Sequence, residues 1–196
     1  SVAVNISPLQ FLQQDMSLLI GSVLKKTQLP ASCLTIEITE SMLMKAEHDN
    51  LQVLSRIQNL GVSTALDDFG TGYSSLNYLR TFPVDYIKID RSFIVEASEQ
   101  EDARQIVRAI IQMAQALNLR VVAEGVEQAC QVQDLTAMGC DWVQGFYFSQ
   151  PLPLQEAEKF LQEWQAGLKQ SRRSSRDETT VVQTRGFQNL ALDPPG

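Results

Sequence analysis

The chain has 196 residues, 44% of them apolar, enough for one buried core and too many for a disordered or collagen-like class. Its formal net charge of -7 argues against a DNA or RNA polymer as partner, which would need a broad basic face. A small phosphorylated ligand stays compatible, because bound divalent cations can invert the local field.

Cys33, Cys130 and Cys140 form no CxxC pair, so neither a disulfide framework nor a zinc cluster is expected, and a reducing, cytoplasmic compartment fits best. No apolar run approaches the roughly 18–20 residues of a membrane span, and no signal-peptide pattern is present. No membrane contact by this domain is expected. The chain opens on Ser1 rather than Met and passes directly into a strand-like run, so the expectation is a fragment of a longer protein.

Six short apolar runs follow one another: Val2–Ile6, Leu34–Ile38, Val62–Leu66, Tyr86–Ile89, Leu119–Ala123 and Trp142–Phe146. Several are nearly continuous, as strands buried on both faces of a parallel sheet should be. Helical spacing lies between them. Leu51, Leu54 and Ile57 share a face that stops at Gly61. Ser98 to Glu101 fits a capping box ahead of Ile106, Val107, Ile110, Ile111, Ala114 and Leu117. Ala157, Phe160, Leu161 and Trp164 mark a last amphipathic helix fading near Gly167. Residues 1–168 are therefore read as one domain and 169–196 as a polar, flexible tail.

Alternating strands and helices suit an open doubly wound sheet or a (β/α)8 barrel. The polar residues decide between them. Asn5, Glu37, Asp67, Asp68, Lys88, Glu124 and Gln144 all fall at or near strand C-terminal ends, which converge on one mouth only in a barrel. The expected fold is thus an α/β barrel of which about six of eight strand–helix units are present.

The strongest local motif is Asp67-Asp68-Phe69-Gly70-Thr71-Gly72-Tyr73-Ser74-Ser75. Adjacent carboxylates at a strand end can face different ions, and oxygen donors favour Mg2+ or Mn2+ over zinc. A solvated acid pair in an Asx turn accounts for it equally well. Glu37 and Lys88, each between isoleucines, need a partner in a buried strand. For Lys88 the choices are a role beside a phosphate or an ion pair with Asp67, Asp68 or Glu124. Glu124-Gly125-Val126-Glu127 and Gln144-Gly145 repeat the pattern. So many carboxylates at one mouth would repel one another without cations. His48, the only histidine, lies in a charged segment before a helix and is read as a surface residue.

In chain order these motifs closely resemble the EAL domain family of cyclic di-GMP phosphodiesterases. The match runs from Val2 to about Trp164 and includes Val-Asn-Ile-Ser, Glu-Ile-Thr-Glu, Asp-Asp-Phe-Gly-Thr-Gly-Tyr-Ser-Ser-Leu, Ile-Lys-Ile-Asp-Arg-Ser-Phe-Ile, Ala-Glu-Gly-Val-Glu and Gln-Gly-Phe-Tyr-Phe-Ser-Gln-Pro. The resemblance implies a barrel whose first strand runs antiparallel, and two Mg2+ or Mn2+ ions on Asn5, Glu37, Asp67, Asp68 and Glu124. It implies that Lys88 and Glu124 act on the water, with Gln144 and Glu127 near substrate or water. Glu40, Gly70, Thr71 and Gly72 would anchor the loop after Asp68. The implied reaction is in-line attack of a metal-bound hydroxide on cyclic di-GMP, giving the linear dinucleotide in bacterial signalling. Expected partners are a second copy in a homodimer and attached sensory or GGDEF-type domains, through which a parent protein could be membrane-anchored. The Glu-Ala-Leu segment that names the family, with one more metal-ligating Glu and two strands, is absent. A catalytically impaired module that binds cyclic di-GMP or a protein is therefore the alternative.

Overall fold

The structure, a computed structural model, describes residues 1–43, 47–71 and 76–174. Its strands are β1 (Val2–Asn5), β2 (Leu34–Thr39), β3 (Ser63–Phe69), β4 (Tyr86–Ile89), β5 (Arg120–Ala123) and β6 (Trp142–Val143). Its helices are α1 (Pro8–Gln13), α2 (Met16–Thr27), α3 (Glu40–Leu43), α4 (Glu47–Asn59), α5 (Leu76–Thr81), α6 (Arg91–Glu99), α7 (Glu101–Ala116), α8 (Ala129–Ala137) and α9 (Leu154–Ser174).

The six strands form one sheet in the order β1-β2-β3-β4-β5-β6, and every pairing is parallel. A doubly wound sheet reverses its strand order at a switch point, whereas a barrel wall runs in sequence order. The order here is that of a barrel wall, with β1 and β6 as its edges.

Side-chain alternation divides the sheet between two tasks. One face carries Ile36, Ile38, Leu66, Ile87, Ile89, Val121 and Ala123, all buried with Leu54, Ile57, Ile94, Val107 and Ile111 from the helices. This is the core. The other face carries Ala3, Thr35, Glu37, Ala65, Tyr86, Lys88 and Val122, which with Gln144 line a concave space of about 300 Å³. Small residues in the middle keep that face open. At the strands' N-terminal ends Arg120 closes it, its guanidinium 5.7 Å from the Tyr86 ring centre and 5.3 Å from that of Trp142.

Two aspartates lock strand starts together. Asp85, just before β4, accepts the Thr64 N–H of β3 at 2.8 Å on Oδ2. Asp141, just before β6, accepts the Val121 N–H of β5 at 2.8 Å. Both devices use the residue that enters one strand to satisfy the second residue of its neighbour.

Three local expectations need correction. Ser98 does not cap α7: α6 continues through it to Glu99, and its hydroxyl donates to the Ile94 carbonyl at 3.0 Å. The helix then restarts at Glu101 after Gln100, whose extended backbone serves as the boundary. His48 lies inside α4, not before it. Finally, α9 runs to Ser174, past Gly167, so residues 169–174 are helical; the rest of the tail lies outside the described residues. Among the described residues, no helix is long and apolar enough to cross a membrane.

Candidate functional site at the strand C-terminal ends

Strand register assembles the site. Asn5 stands opposite Glu37, Thr39 opposite Asp67, and Ile89 opposite Ala123, so Lys88 and Glu124 end neighbouring strands. The Lys88 ammonium lies 2.8 Å from Glu37 Oε2, 3.0 Å from Asp67 Oδ1 and 2.7 Å from Glu124 Oε1. Three carboxylates from β2, β3 and the end of β5 thus meet one cation that is only 3% exposed. Of the partners expected for Lys88, Asp67 and Glu124 pair with it and Asp68 does not, while Glu37 adds a third, so three formal negative charges face one positive charge.

That excess shows in the proton affinities. Burial alone would pull the Lys88 ammonium toward neutrality, but Glu124, Glu37 and Asp67 overcome it and hold Lys88 above the usual lysine range. Burial raises the Glu124 carboxyl, with Lys88 opposing and Asp67 and Glu37 adding to the rise. Burial, then Asp67 and Asp90, raise Asp68 against the pull of Lys88. One ammonium does not neutralise this mouth.

The Asp67-Asp68 pair is separated by backbone geometry. The β3–β4 register shifts between Leu66 and Phe69, and Asp68 takes a left-handed φ of 53°. Such a bulge re-aims neighbouring side chains. Asp67 stays buried against Lys88, and Asp68 turns out to solvent, where the Thr71 hydroxyl donates to its carbonyl at 2.9 Å. Gly70, at φ 99°, leaves room for the Phe93 ring, which an added Cβ would meet at 2.7 Å. Glu40 is buried at the first position of α3. Gly72 lies outside the described residues.

Gln144 follows β6 with its side chain in the concave space; its N–H donates to the Ala123 carbonyl at 2.8 Å. Asn5 is exposed at the end of β1. Glu127 does not join the lysine cluster but pairs with Arg91 at 2.7 Å. Sequence reasoning passed over Arg91, and also Gln131, a buried amide whose Oε1 accepts the N–H of Glu127 at 2.8 Å and of Gln128 at 3.0 Å. Arg91 lies three residues past Lys88 and Gln131 four past Glu127, both already of interest, and that spacing is the signal that could have found them.

Residues 1–151 match the family model described as "EAL domain". The chain belongs to the EAL domain family. This EAL domain is 48% identical over 161 residues to the signaling protein YkoW of Bacillus subtilis, covering 82% of the chain and 20% of YkoW. It is 47% identical over 142 residues to the cyclic di-GMP phosphodiesterase NbdA of Pseudomonas aeruginosa, covering 72% of the chain and 18% of NbdA. Among solved structures it resembles the PaMucR phosphodiesterase in complex with c-di-GMP, at 41% identity and a TM-score of 0.77, covering 80% of the chain and 64% of that structure. The chain therefore spans about a fifth of the length of such curated relatives.

The donor set of this EAL domain suits a hard divalent ion. Among the described residues no three His, Cys, Asp or Glu are already grouped to hold a metal, since Lys88 stands where the carboxylates meet. Yet all the candidate ligands, Asn5, Glu37, Asp67, Asp68 and Glu124, offer oxygen, and four of them are carboxylates set around the single ammonium of Lys88. Oxygen donors and surplus negative charge fit a hard divalent cation better than a soft one.

Proposed function

We propose that this domain opens one phosphodiester of cyclic di-GMP to the linear dinucleotide. Water adds to phosphorus, the P–O bond to a ribose 3′ oxygen breaks, and that oxygen leaves with a proton. The observation that carries the reading is Lys88 within 3.0 Å of Glu37, Asp67 and Glu124 on the concave face. The name of NbdA and the ligand of PaMucR supply the substrate.

Each side chain has a task that follows from its environment. Glu124, with its proton affinity raised by burial, is suited to accept a proton from the attacking water. Lys88, held protonated, cannot be the base; its fixed positive charge stands beside the water and the phosphoryl oxygens. Gln144 offers an amide in the same concave space for the water or substrate. Asn5, Glu37, Asp67, Asp68 and Glu124 would hold two Mg2+ or Mn2+ ions. When bound, such ions offset charge on the phosphoryl oxygens and lower the pKa of water. Glu40, Gly70 and Thr71 would keep the loop after Asp68 in place. We place this domain in a homodimer with attached sensory or GGDEF-type domains, in the bacterial cytoplasm.

The test incubates the full-length protein with cyclic di-GMP and Mn2+ or Mg2+ and follows the linear dinucleotide by chromatography. Turnover that stops on adding a chelator is the expected result. Saturable binding with no cleavage would instead make the domain a cyclic di-GMP receptor.

A further inference from the structure

The loop from Glu124 to Gln128 is fixed along most of its length by hydrogen bonds. Val126 donates its N–H to the Gln144 carbonyl at 3.0 Å, and its own carbonyl accepts the Tyr147 N–H at 2.9 Å. Gln131 accepts the N–H groups of Glu127 and Gln128 while its Nε2 donates to Ser98 Oγ at 2.9 Å. None of these bonds acts on the peptide that directly follows Glu124.

Arg91 does. Gly125 has φ 68°, and a Cβ there would meet Arg91 Cγ at 2.2 Å, so the arginine stem lies against the Gly125 backbone. The guanidinium reaches on to Glu127 Oε1 at 2.7 Å. Arg91 comes three residues after Lys88, and Glu127 three after Glu124. One side chain therefore spans the ends of β4 and β5, near which Lys88, inside β4, and Glu124, just past β5, make their 2.7 Å contact. An ion pair with side chains 57% and 41% exposed contributes little to stability. Its consequence is geometric: the Glu124 N–H is already held by the Ile89 carbonyl at 3.1 Å, and stem and charge together border the chain on its other side, at Gly125 and Glu127.

We propose that Arg91 is a positioning residue for Glu124, acting through Gly125 and Glu127 and not on the substrate itself. The proposal rests on the hydrolytic reading of the site, and its test separates the two. In the full-length protein, Arg91→Ala is expected to lower kcat for cyclic di-GMP about 10- to 100-fold, as small misplacements of a reacting group do, with KM and Tm little changed. Amide hydrogen exchange at residues 125–128 becomes faster in the same variant. Arg91→Lys, which keeps stem and charge, restores most of kcat. Glu127→Ala reproduces part of the loss, and the double variant is no worse than Arg91→Ala, because the two act as one unit.

A raised KM with unchanged kcat, and a Glu127→Ala variant that behaves as wild type, would overturn the proposal by placing Arg91 on the substrate. Unchanged exchange at residues 125–128 in Arg91→Ala overturns it as well. Should the wild type not hydrolyse cyclic di-GMP, the functional reading fails, and exchange alone decides whether Arg91 braces the loop.

Discussion

Lys88 Nζ and Glu124 Oε1 are 2.7 Å apart at the ends of adjacent parallel strands, and Lys88 also serves Glu37 and Asp67. A buried cation shared by three anions holds them together and leaves their sum negative. Removing it has a consequence that can be read without substrate. Lys88→Met leaves buried carboxylates facing one another, which costs about 3–5 kcal/mol in the presence of a chelator. Divalent ions should recover part of that. Thermal melts with EDTA and then with Mn2+ are expected to show a larger ion-induced rise for the variant than for wild type. Equal rises would mean that ions do not bind at these carboxylates. Hydrolysis should fall on the order of 100-fold, as it does when a charge-stabilising group is deleted.

Gly70 offers a second test, of the loop that follows Asp68. At φ 99° an L side chain is strained by roughly 1–2 kcal/mol, and its Cβ would press on the Phe93 ring. Gly70→Ala is expected to lower both Tm and hydrolysis. Adding Phe93→Ala relieves the contact but not the strained φ, so recovery of hydrolysis should be partial; full recovery would show that only packing mattered.

The wall of the barrel was legible because its strands face helices on one side. That burial produces near-continuous apolar runs, and the polar exceptions, Glu37 and Lys88, mark the other face. Strand ends were less legible. Asp67 and Asp68 lie inside β3 and not after it, because a register shift lets the strand continue through them. β6 stops at Val143; beyond it Gln144 donates its N–H to the Ala123 carbonyl and accepts from Val126, and the Gly145 carbonyl accepts the Phe148 N–H. Which charges meet was readable only in part: Asp67 and Glu124 were among the partners expected for Lys88, whereas Glu37 was not and Asp68 does not pair with it. Glu124 and Glu127 are chemically alike in sequence; Gly125 turns the chain so that one faces Lys88 and the other Arg91. The apparent capping box at Ser98 failed because an extended Gln100 makes the break two residues later.

Asp85 tests the opposite end of the wall. Its Oδ2 accepts the N–H of Thr64, a residue with no exposed surface. Asp85→Ala leaves that donor without its acceptor and should cost about 1–3 kcal/mol. Asp85→Asn retains a carbonyl oxygen and should cost less. Denaturant melts measure both, and kcat should stay near wild type, since the lysine cluster sits at the other end of the strands. An equal loss for Ala and Asn would point to the charge of Asp85, not its acceptor oxygen.

The cysteines give a pH-dependent test away from the mouth. Burial pushes the Cys140 thiol up to about 12, and its Sγ donates to the Trp142 carbonyl at 3.1 Å; Cys130 is exposed. In the folded protein at pH 8 a disulfide reagent should therefore label Cys130 quickly and Cys140 only on unfolding. The sign for stability follows from proton counting. Above about 8.5 the unfolded chain releases the Cys140 proton while the folded chain keeps it, so unfolding becomes easier as pH rises toward the folded-state value. Cys140→Ala removes that titration. Its stability deficit relative to wild type, measured by urea melts, should shrink between pH 8 and pH 10; a deficit independent of pH would show that the thiol ionises equally well in both states.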